Sequence, residues 1–305
     1  MTDRSHPLLT TTDWNDEWRS LQAGRAQASS AETWDERAAT FPTAHGSQSG
    51  YVRRFLELAD IREGETVFDM GCGTGVLSVP LVEAGHPVIA ADFSSGMLNV
   101  MLKDLADIPG SDGSSLGPDV QVMKMSWEDD WERFGVKPRC ADIAIASRSI
   151  ATNDLEAALM KLDAVARRRV CITVPCGSSP RIDRSFVEAV GLGRHLGHDF
   201  LYTFNILASR GICPEVAYIS SIRYDTFDTV EEARKLFGGM IESAAQEASG
   251  VSVERAFELL EPWLAEHIVP NGKDGEKPLR TKNVRNVVWA FISWDKQGDE
   301  NGPVG

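Results

Sequence analysis

Short apolar runs rich in valine, isoleucine and alanine recur through the middle of the chain, and stretches with helical periodicity separate them. The runs predict buried strands, and the stretches between them are typical of helices that pack on a sheet. Strands that alternate with helices at this spacing indicate βαβ units and a parallel sheet. The predicted strands of this region are residues 66–70, 87–91, 120–125, 141–146 and 169–174.

Helical patterns precede this region. Trp14, Trp18 and Leu21 stand at positions i, i+4 and i+7 and form one apolar stripe. Thr33, followed three residues later by Glu36, fits a capping box that opens another helix. We therefore predict a helical segment ahead of the first strand.

The last third of the chain departs from the alternating rhythm. Thr229 with Glu232 predicts one more capped helix there. Earlier in the chain, Asn153 with Glu156 predicts a capped helix before the fifth strand. The remaining predicted elements are a helix at 200–209, a strand at 215–224, a helix at 253–265, a polar loop at 271–282 and a closing strand at 284–294.

These changes of pattern predict an α/β fold with a doubly wound, mostly parallel sheet of seven strands. A helical cap precedes the sheet, and a helical insertion precedes its last strand. The predicted parts are a cap at 1–50, a core at 51–227, an insertion at 228–282, the final core strand at 283–294 and a disordered tail at 295–305.

Composition narrows the class of protein. The 305 residues carry 31 basic and 45 acidic side chains, a net charge of −14, which disfavours binding to a nucleic-acid backbone. The five cysteines show no pairing rhythm, the first residues lack the apolar core of a signal peptide, and no apolar run is long enough to cross a membrane. We expect a cytoplasmic protein. The run Arg167–Arg169 is expected to be the solvated end of a helix.

The first predicted strand leads into a glycine-rich turn, which reads Asp-Met-Gly-Cys-Gly-Thr-Gly from Asp69 to Gly75. Glycines let backbone N–H groups approach a ligand at the start of the following helix. The turn does not match the dinucleotide fingerprint, because Val76 or Ser78 takes the place of its third glycine, and it lacks the lysine of a P-loop. Asp92 ends the next strand, where a carboxylate accepts hydrogen bonds from ribose hydroxyls. The pattern therefore predicts a cofactor that bears a nucleoside without phosphates.

The turn and the sequence Asp92-Phe93-Ser94 resemble the class I S-adenosylmethionine-dependent methyltransferases over roughly residues 65–174. The resemblance implies S-adenosylmethionine as the cofactor and a Rossmann-like sheet. It also implies that the last two strands form a hairpin, which this chain interrupts with its insertion.

The resemblance implies roles for single residues in the cofactor site. Asp69 orients the turn that contains Cys72, and Gly71 and Gly73 let the backbone approach the amino-acid part of the cofactor. Asp92 binds the ribose. The flanking candidates are Phe93 and Met97 on the two sides of the adenine, Ser126 and Trp127 near its amino group, and Ser147 under the methionine arm.

Two of these positions leave alternatives open. Ser126 stands where the family often has an acid, so the backbone of Trp127 or the side chain of Glu128 is expected to replace that contact. Met97 is also consistent with an ordinary core residue.

The segment 34–38 resembles one that lies ahead of the core in several small-molecule methyltransferases, where it folds over the cofactor. The resemblance implies that Arg37 meets the cofactor carboxylate and that Phe41 closes the pocket. The alternative is a packed Trp34 with a solvated Arg37.

No catalytic residue is evident. Residues 147–150 are not the Asn/Asp-Pro-Pro-Tyr/Phe signature of amino-methylating enzymes, and no Cys, His or Asp grouping has the spacing of a metal site. His195, His198 and Tyr202 are candidates for orienting or deprotonating a nucleophile, against the simpler alternative of polar residues without a role.

The sequence therefore predicts an enzyme that moves a methyl group from S-adenosylmethionine to a small-molecule nucleophile by in-line displacement. The alternatives are a tRNA or protein methyltransferase and a catalytically silent S-adenosylmethionine-binding regulatory protein; a nicotinamide-dependent enzyme is a distant third. A small-molecule substrate is the expected partner, without a membrane or nucleic acid, and a homodimer is left open.

Overall fold

The computed structural model describes residues 12–24, 30–38, 41, 50–108, 120–150, 152–177, 180–193, 199–247, 252–273 and 276–296. Within these ranges no helix is both long and apolar enough to cross a lipid bilayer. His195 and His198 lie outside the described residues.

A seven-stranded sheet forms the centre of the molecule, in the order β3-β2-β1-β4-β5-β10-β6. The first five strands pair in parallel, and β10 runs antiparallel to both β5 and β6. This arrangement confirms the predicted fold class. The strands are β1 Val67–Met70, β2 Val88–Asp92, β3 Val120–Lys124, β4 Ala141–Ser147, β5 Ala166–Pro175, β6 Glu215–Arg223, β7 Thr226–Phe227, β8 Ile268–Pro270, β9 Leu279–Thr281 and β10 Arg285–Asp295.

Several described helices begin at side chains that accept hydrogen bonds from the first turn, whereas the helix Ser78–Glu83 has no such cap. Ser94 caps α5 by accepting from the Met97 N–H at 3.1 Å. The helices are α1 Trp14–Gly24, α2 Ala31–Ala38, α3 Gly50–Ala59, α4 Ser78–Glu83, α5 Ser95–Ala106, α6 Leu155–Val165, α7 Arg184–Ala189, α8 Asp199–Ser209, α9 Val230–Glu247 and α10 Val253–His267.

Two predicted caps are wrong by a few residues. Asp154 rather than Asn153 caps α6, because its carboxylate accepts from the Ala157 N–H at 3.0 Å. Helix α2 begins three residues earlier than the predicted box, since Ser30 accepts from the N–H of Thr33 at 3.4 Å. In both places a second capping residue stands close by, and the sequence does not rank the two.

The core fills both faces of the sheet because alternate residues of a strand point to opposite faces. In β4, Ile143 and Ile145 pack with α3, α4 and α5, whereas Ala144 and Ala146 pack with α6 and α8. Burial on both faces explains why the central strands read as continuous apolar runs rather than alternating ones. Because β1 pairs in parallel with both β2 and β4, the carboxyl ends of these three strands lie at one shared edge.

The chain between β6 and β10 builds a core of its own with α7. Phe186, Phe237 and Trp263 have ring centroids 4.5–4.8 Å apart inside it. The predicted polar loop at 271–282 is wrong at its end, because β9 pairs there with β7 and β8 in a small antiparallel sheet. These strand pairings depend on tertiary contacts, so the polar sequence of this stretch does not indicate them.

The basic run 167–169 is not a solvated helix end. Helix α6 stops at Val165, and the run lies in β5, where Arg169 is buried and bonds Asp295 at 3.0 Å and Ser293 at 2.8 Å. Asp295 is the last residue of β10, so the predicted disorder from 295 onwards is wrong for this residue. Lys296 is also described, and its ammonium group donates to the Asp163 carbonyl at 3.0 Å. Residues 297–305 lie outside the described part.

Candidate cofactor site at the carboxyl edge of the sheet

The glycine-rich turn joins β1 to α4 at the carboxyl edge of the sheet. The N–H groups of Gly71 and Cys72 both donate to the Ala91 carbonyl, at 2.7 and 3.0 Å, which holds the turn against the end of β2. Gly73 has φ +57°, and a side chain added there would meet nothing within 4 Å. The turn therefore presents backbone to open space at Gly73.

Gly71 has a different reason to be glycine. A Cβ there would lie 2.6 Å from the Oγ of Ser149, whose hydroxyl donates to the Met70 carbonyl at 2.7 Å. The loop after β4 thus contacts the turn directly at this position. Whether Gly71 also approaches the cofactor remains a prediction.

Asp69 is buried beneath the turn. Its carboxylate accepts a hydrogen bond of 2.6 Å from the Ser78 hydroxyl at the start of α4. Burial raises the pKa of Asp69 to about 7, and the nearby charge of Asp92 adds to this rise while Ser78 opposes it. Asp69 therefore links β1 to α4, and its role in orienting the turn for a cofactor stays a prediction.

Asp92 holds the turn and the next helix together. One carboxylate oxygen accepts from the Gly73 N–H and the other from the Ser94 N–H, both at 2.9 Å. Burial raises its pKa, whereas these backbone donors lower it. A carboxylate oxygen accepts about two hydrogen bonds, so each oxygen keeps capacity for a hydroxyl donor. The two acceptor oxygens therefore fit the two hydroxyl donors of a ribose diol.

The two candidates for the faces of the adenine differ in exposure. Phe93, directly after Asp92, is half-buried, and Met97 is 2% exposed within α5. Their contact with a cofactor stays a prediction, and the burial of Met97 agrees with the core alternative.

Asp35, in α2, is a site residue that the sequence analysis did not single out. Its Oδ1 accepts from the Ser94 hydroxyl at 2.6 Å and from the Gly96 N–H at 2.7 Å, and these bonds lower its pKa. A Cβ at Gly96 would lie 2.8 Å from the Cα of Asp35, so the two helices touch at their backbones. Helix α2 is thus docked two residues from Asp92.

The predicted cap residues lie beside this contact. Arg37 is exposed, with its guanidinium 5.3 Å from the centre of the Trp34 ring. Phe41 packs edge-on to the same ring at 5.9 Å. The resemblance of segment 34–38 to a cap over the cofactor was the one sequence feature that included Asp35. It did not single out this residue, because the partners of Asp35 lie about sixty residues away in the chain.

In the loop after β3, the predicted contact of the Trp127 backbone or the Glu128 side chain with the adenine amino group stays a prediction. The Ser126 N–H donates to the Asp129 carboxylate at 2.7 Å, whereas Glu128 is exposed. The indole N–H of Trp127 donates to the Ser149 carbonyl at 3.0 Å, and Lys161 donates to the Trp127 carbonyl at 2.7 Å. Trp127 therefore connects the loops after β3 and β4.

At the end of β4, Ser147 belongs to a hydroxyl cluster. The Tyr51 hydroxyl lies 2.7 Å from both the Ser147 Oγ and the Thr173 Oγ1, which joins α3 to β4 and β5. Burial is the main cause that raises the pKa of Tyr51. Tyr51 is a second residue that the sequence analysis missed, since it read as an ordinary apolar position of α3.

The described residues include the thiol of Cys72 and also Tyr202, whose part in orienting or deprotonating a nucleophile stays a prediction. Burial raises the pKa of the Cys72 thiol well above its usual range, so this side chain is held as a neutral thiol. Tyr202 packs edge-on to Trp14 and Trp18 of α1, at 6.4 and 5.8 Å. No group of three metal-ligating side chains converges anywhere in the described ranges.

Comparisons with known proteins find similar sequences and similar folds. No protein-family model matches the chain. An uncharacterized protein of Haemophilus influenzae is 31% identical over 189 residues, which span 62% of this chain and 66% of that protein. A demethylmenaquinone methyltransferase of Paenarthrobacter aurescens is 38% identical over 63 residues, 21% of this chain and 25% of that enzyme. The YcgJ protein of Bacillus subtilis is a solved structure with TM-score 0.49 and 12% identity, covering 81% of this chain and 98% of its own.

These sequence matches are local, and this chain spans less than two thirds of the relatives' lengths. The parallel strand order with an antiparallel β10 next to last is the methyltransferase form of the Rossmann-like sheet. Taken with the Asp69–Gly75 turn and with Asp92 at the end of β2, this sheet gives the chain the Rossmann-like fold of the class I S-adenosylmethionine-dependent methyltransferases, which it resembles.

Proposed function

We propose that the protein binds S-adenosylmethionine at the carboxyl ends of β1, β2 and β4 and catalyses transfer of its methyl group to a small-molecule nucleophile. The observation that carries the proposal is the placement of Asp92. This buried carboxylate lies beside the open backbone of Gly73 and retains capacity for two hydroxyl donors.

The residues present fit this cofactor. Asp92 would hold the ribose, the turn at Gly73 would lie against the amino-acid part, and the half-buried Phe93 would flank the adenine. When bound, the cofactor supplies an activated methyl group on a sulfonium leaving group. The chain then has to position the acceptor in line with that group and keep water out.

The proposal that the methyl acceptor is a small molecule is based on properties of the whole chain rather than of the site. The net charge of −14 disfavours a polyanionic substrate such as tRNA. All five cysteines are unpaired, which supports an assignment to the reducing cytoplasm. A general base is required only if the acceptor must lose a proton, so the mechanism does not depend on one.

Binding of S-adenosylhomocysteine, measured by calorimetry, tests the proposal. Asp92→Ala should weaken binding about 100-fold or more, because two hydrogen bonds to a charged acceptor are lost. Asp107→Ala, an exposed acid at the end of α5, is the matched control and should bind like the intact protein. The melting temperature of each ligand-free variant shows whether it still folds. Failure of the intact protein to bind would refute the proposal.

A further inference from the structure

Arg148, the residue that follows β4, has an unusual backbone. Its φ is +57°, a left-handed conformation that residues other than glycine, asparagine and aspartate rarely adopt. Its N–H donates to the Thr173 Oγ1 at 3.0 Å, which helps to hold this conformation. Backbone strain of this kind is concentrated at functional sites, which favours a functional role for the Arg148 side chain.

The side chain of Arg148 stacks on the aromatic wall between α3 and β10. Its guanidinium carbon lies 4.2 Å from the centre of the Tyr51 ring and 5.9 Å from that of Trp289. Both rings are buried, and the hydroxyl cluster described above holds Tyr51 in place. The stacked group is therefore held on a rigid support.

Stacking uses the face of a guanidinium and leaves its N–H groups free at the edge. Those groups lie in one plane and match the two oxygens of a carboxylate or phosphate. Several other described arginines, such as Arg168 with Glu65, have a carboxylate within 4.0 Å, whereas Arg148, like Arg53, has none within the described ranges. The undescribed segments 42–49, 151, 178–179 and 194–198, which adjoin α3, β4, β5 and α8 in the chain, contain no Asp or Glu. Although the net charge is −14, no carboxylate in the described part of the chain pairs with this cation.

The position of Arg148 places this cation beside the proposed cofactor site. The next residue, Ser149, bonds the Met70 carbonyl at the glycine turn, and the preceding one, Ser147, bonds Tyr51. A ligand that extends from the turn towards α3 therefore meets Arg148 at this edge.

We propose that Arg148 is an anion-binding residue of the active site and that it receives a carboxylate or phosphate group. This inference rests on the proposed function. The anion has two possible sources, which are the carboxylate of the cofactor and an acidic group on the methyl acceptor. Arg148 acts in either case by binding, and it takes no part in a covalent step.

Calorimetry with two nucleosides separates the sources. S-adenosylhomocysteine carries the carboxylate, and 5′-methylthioadenosine lacks the amino-acid part. If the cofactor is the source, Arg148→Gln should weaken S-adenosylhomocysteine about tenfold or more and leave methylthioadenosine unchanged. Arg53→Gln, an exposed arginine on α3 without a described carboxylate partner, is the control with the same change of charge.

If the acceptor is the source, Arg148→Gln should leave both nucleosides unchanged and should abolish binding of inorganic phosphate to the S-adenosylhomocysteine complex, followed by NMR. The control variant should keep phosphate binding. The inference is overturned if Arg148→Gln matches the control in all three titrations. If the intact protein binds neither nucleoside, the proposed function fails instead, and the phosphate titration of the ligand-free protein still decides the role of Arg148.

Discussion

At the scale of single residues, burial sets the behaviour of the two acids in the site. Asp69 and Asp92 both lie under or beside the glycine turn, and burial is the largest cause of the rise in pKa at each. Two backbone N–H donors to Asp92 oppose the rise in its pKa, whereas Asp69 has one hydroxyl donor, from Ser78. Asp69 is therefore the acid whose protonation we expect to change near neutral pH.

This difference predicts a pH dependence of stability. The pKa of Asp69 is about 7 in the folded chain and near 4 in an unfolded one, so the folded state binds the proton more tightly. The stability that this proton provides is lost as pH rises, and the free energy of unfolding should fall between about pH 5 and 7, by up to about 2 kcal/mol. Urea denaturation of Asp69→Asn should show a flatter dependence. Asp107→Asn should keep the original one, and equal slopes in all three proteins would exclude the effect.

At the scale of elements, the contact between α2 and α5 is the feature that bears most on the site. Asp35 accepts two short hydrogen bonds from the first residues of α5, and Gly96 permits the close approach of the backbones. Since Ser94 also bonds Asp92, docking of α2 and shaping of the ribose position share one residue. We expect the two to be coupled.

Asp35→Ala tests this coupling. Loss of the two acceptor contacts should speed amide hydrogen exchange in α2 and weaken S-adenosylhomocysteine binding. Exchange in the middle of α5 should stay as in the parent protein. Glu36→Ala, an exposed neighbouring acid on the same helix, should change neither quantity. Unchanged exchange in α2 of the Asp35 variant would show that other contacts hold the helix.

At the scale of the whole molecule, a buried ion pair joins the start of β10 to the connection between β6 and β7. Arg285, at the start of β10, contacts Asp225 through Nε at 2.9 Å and Nη2 at 3.2 Å. Both side chains are less than a tenth exposed, and the Asp225 carbonyl accepts from the Thr281 N–H of β9 at 2.9 Å. The pair lies where β6, β7, β9 and β10 meet.

Removing one partner of this buried pair should destabilise the protein more than removing one partner of an exposed ion pair. Arg285→Met leaves an uncompensated buried carboxylate, for which we expect a loss of about 3 kcal/mol or more in chemical denaturation. Arg223, whose side chain is half exposed, is the other cation that contacts Asp225. Arg223→Met should therefore lower the free energy of unfolding by about 1 kcal/mol or less. The double variant Asp225→Asn/Arg285→Met should recover part of the loss. Similar costs for the two single variants would contradict the argument.

The sequence alone determined the parts of this protein that are encoded locally. Hydrophobic periodicity located the seven main strands, and the Asp69–Gly75 turn with Asp92 located the candidate cofactor site. These signals are readable because each lies within one strand, one turn or one helix start, where neighbours in the chain are also neighbours in space.

Only the tertiary structure decided which distant residues meet at that site. Asp35 bonds Ser94, Ser149 closes on Gly71, and Arg148 stacks on Tyr51. Each contact joins elements far apart in the chain, and each depends on how helices and loops pack at the carboxyl edge of the sheet. Each of these polar contacts is made by a single side chain, and its partner lies on whichever element the packing of the fold places nearby. Such contacts do not repeat along the chain, so no local sequence pattern predicts them.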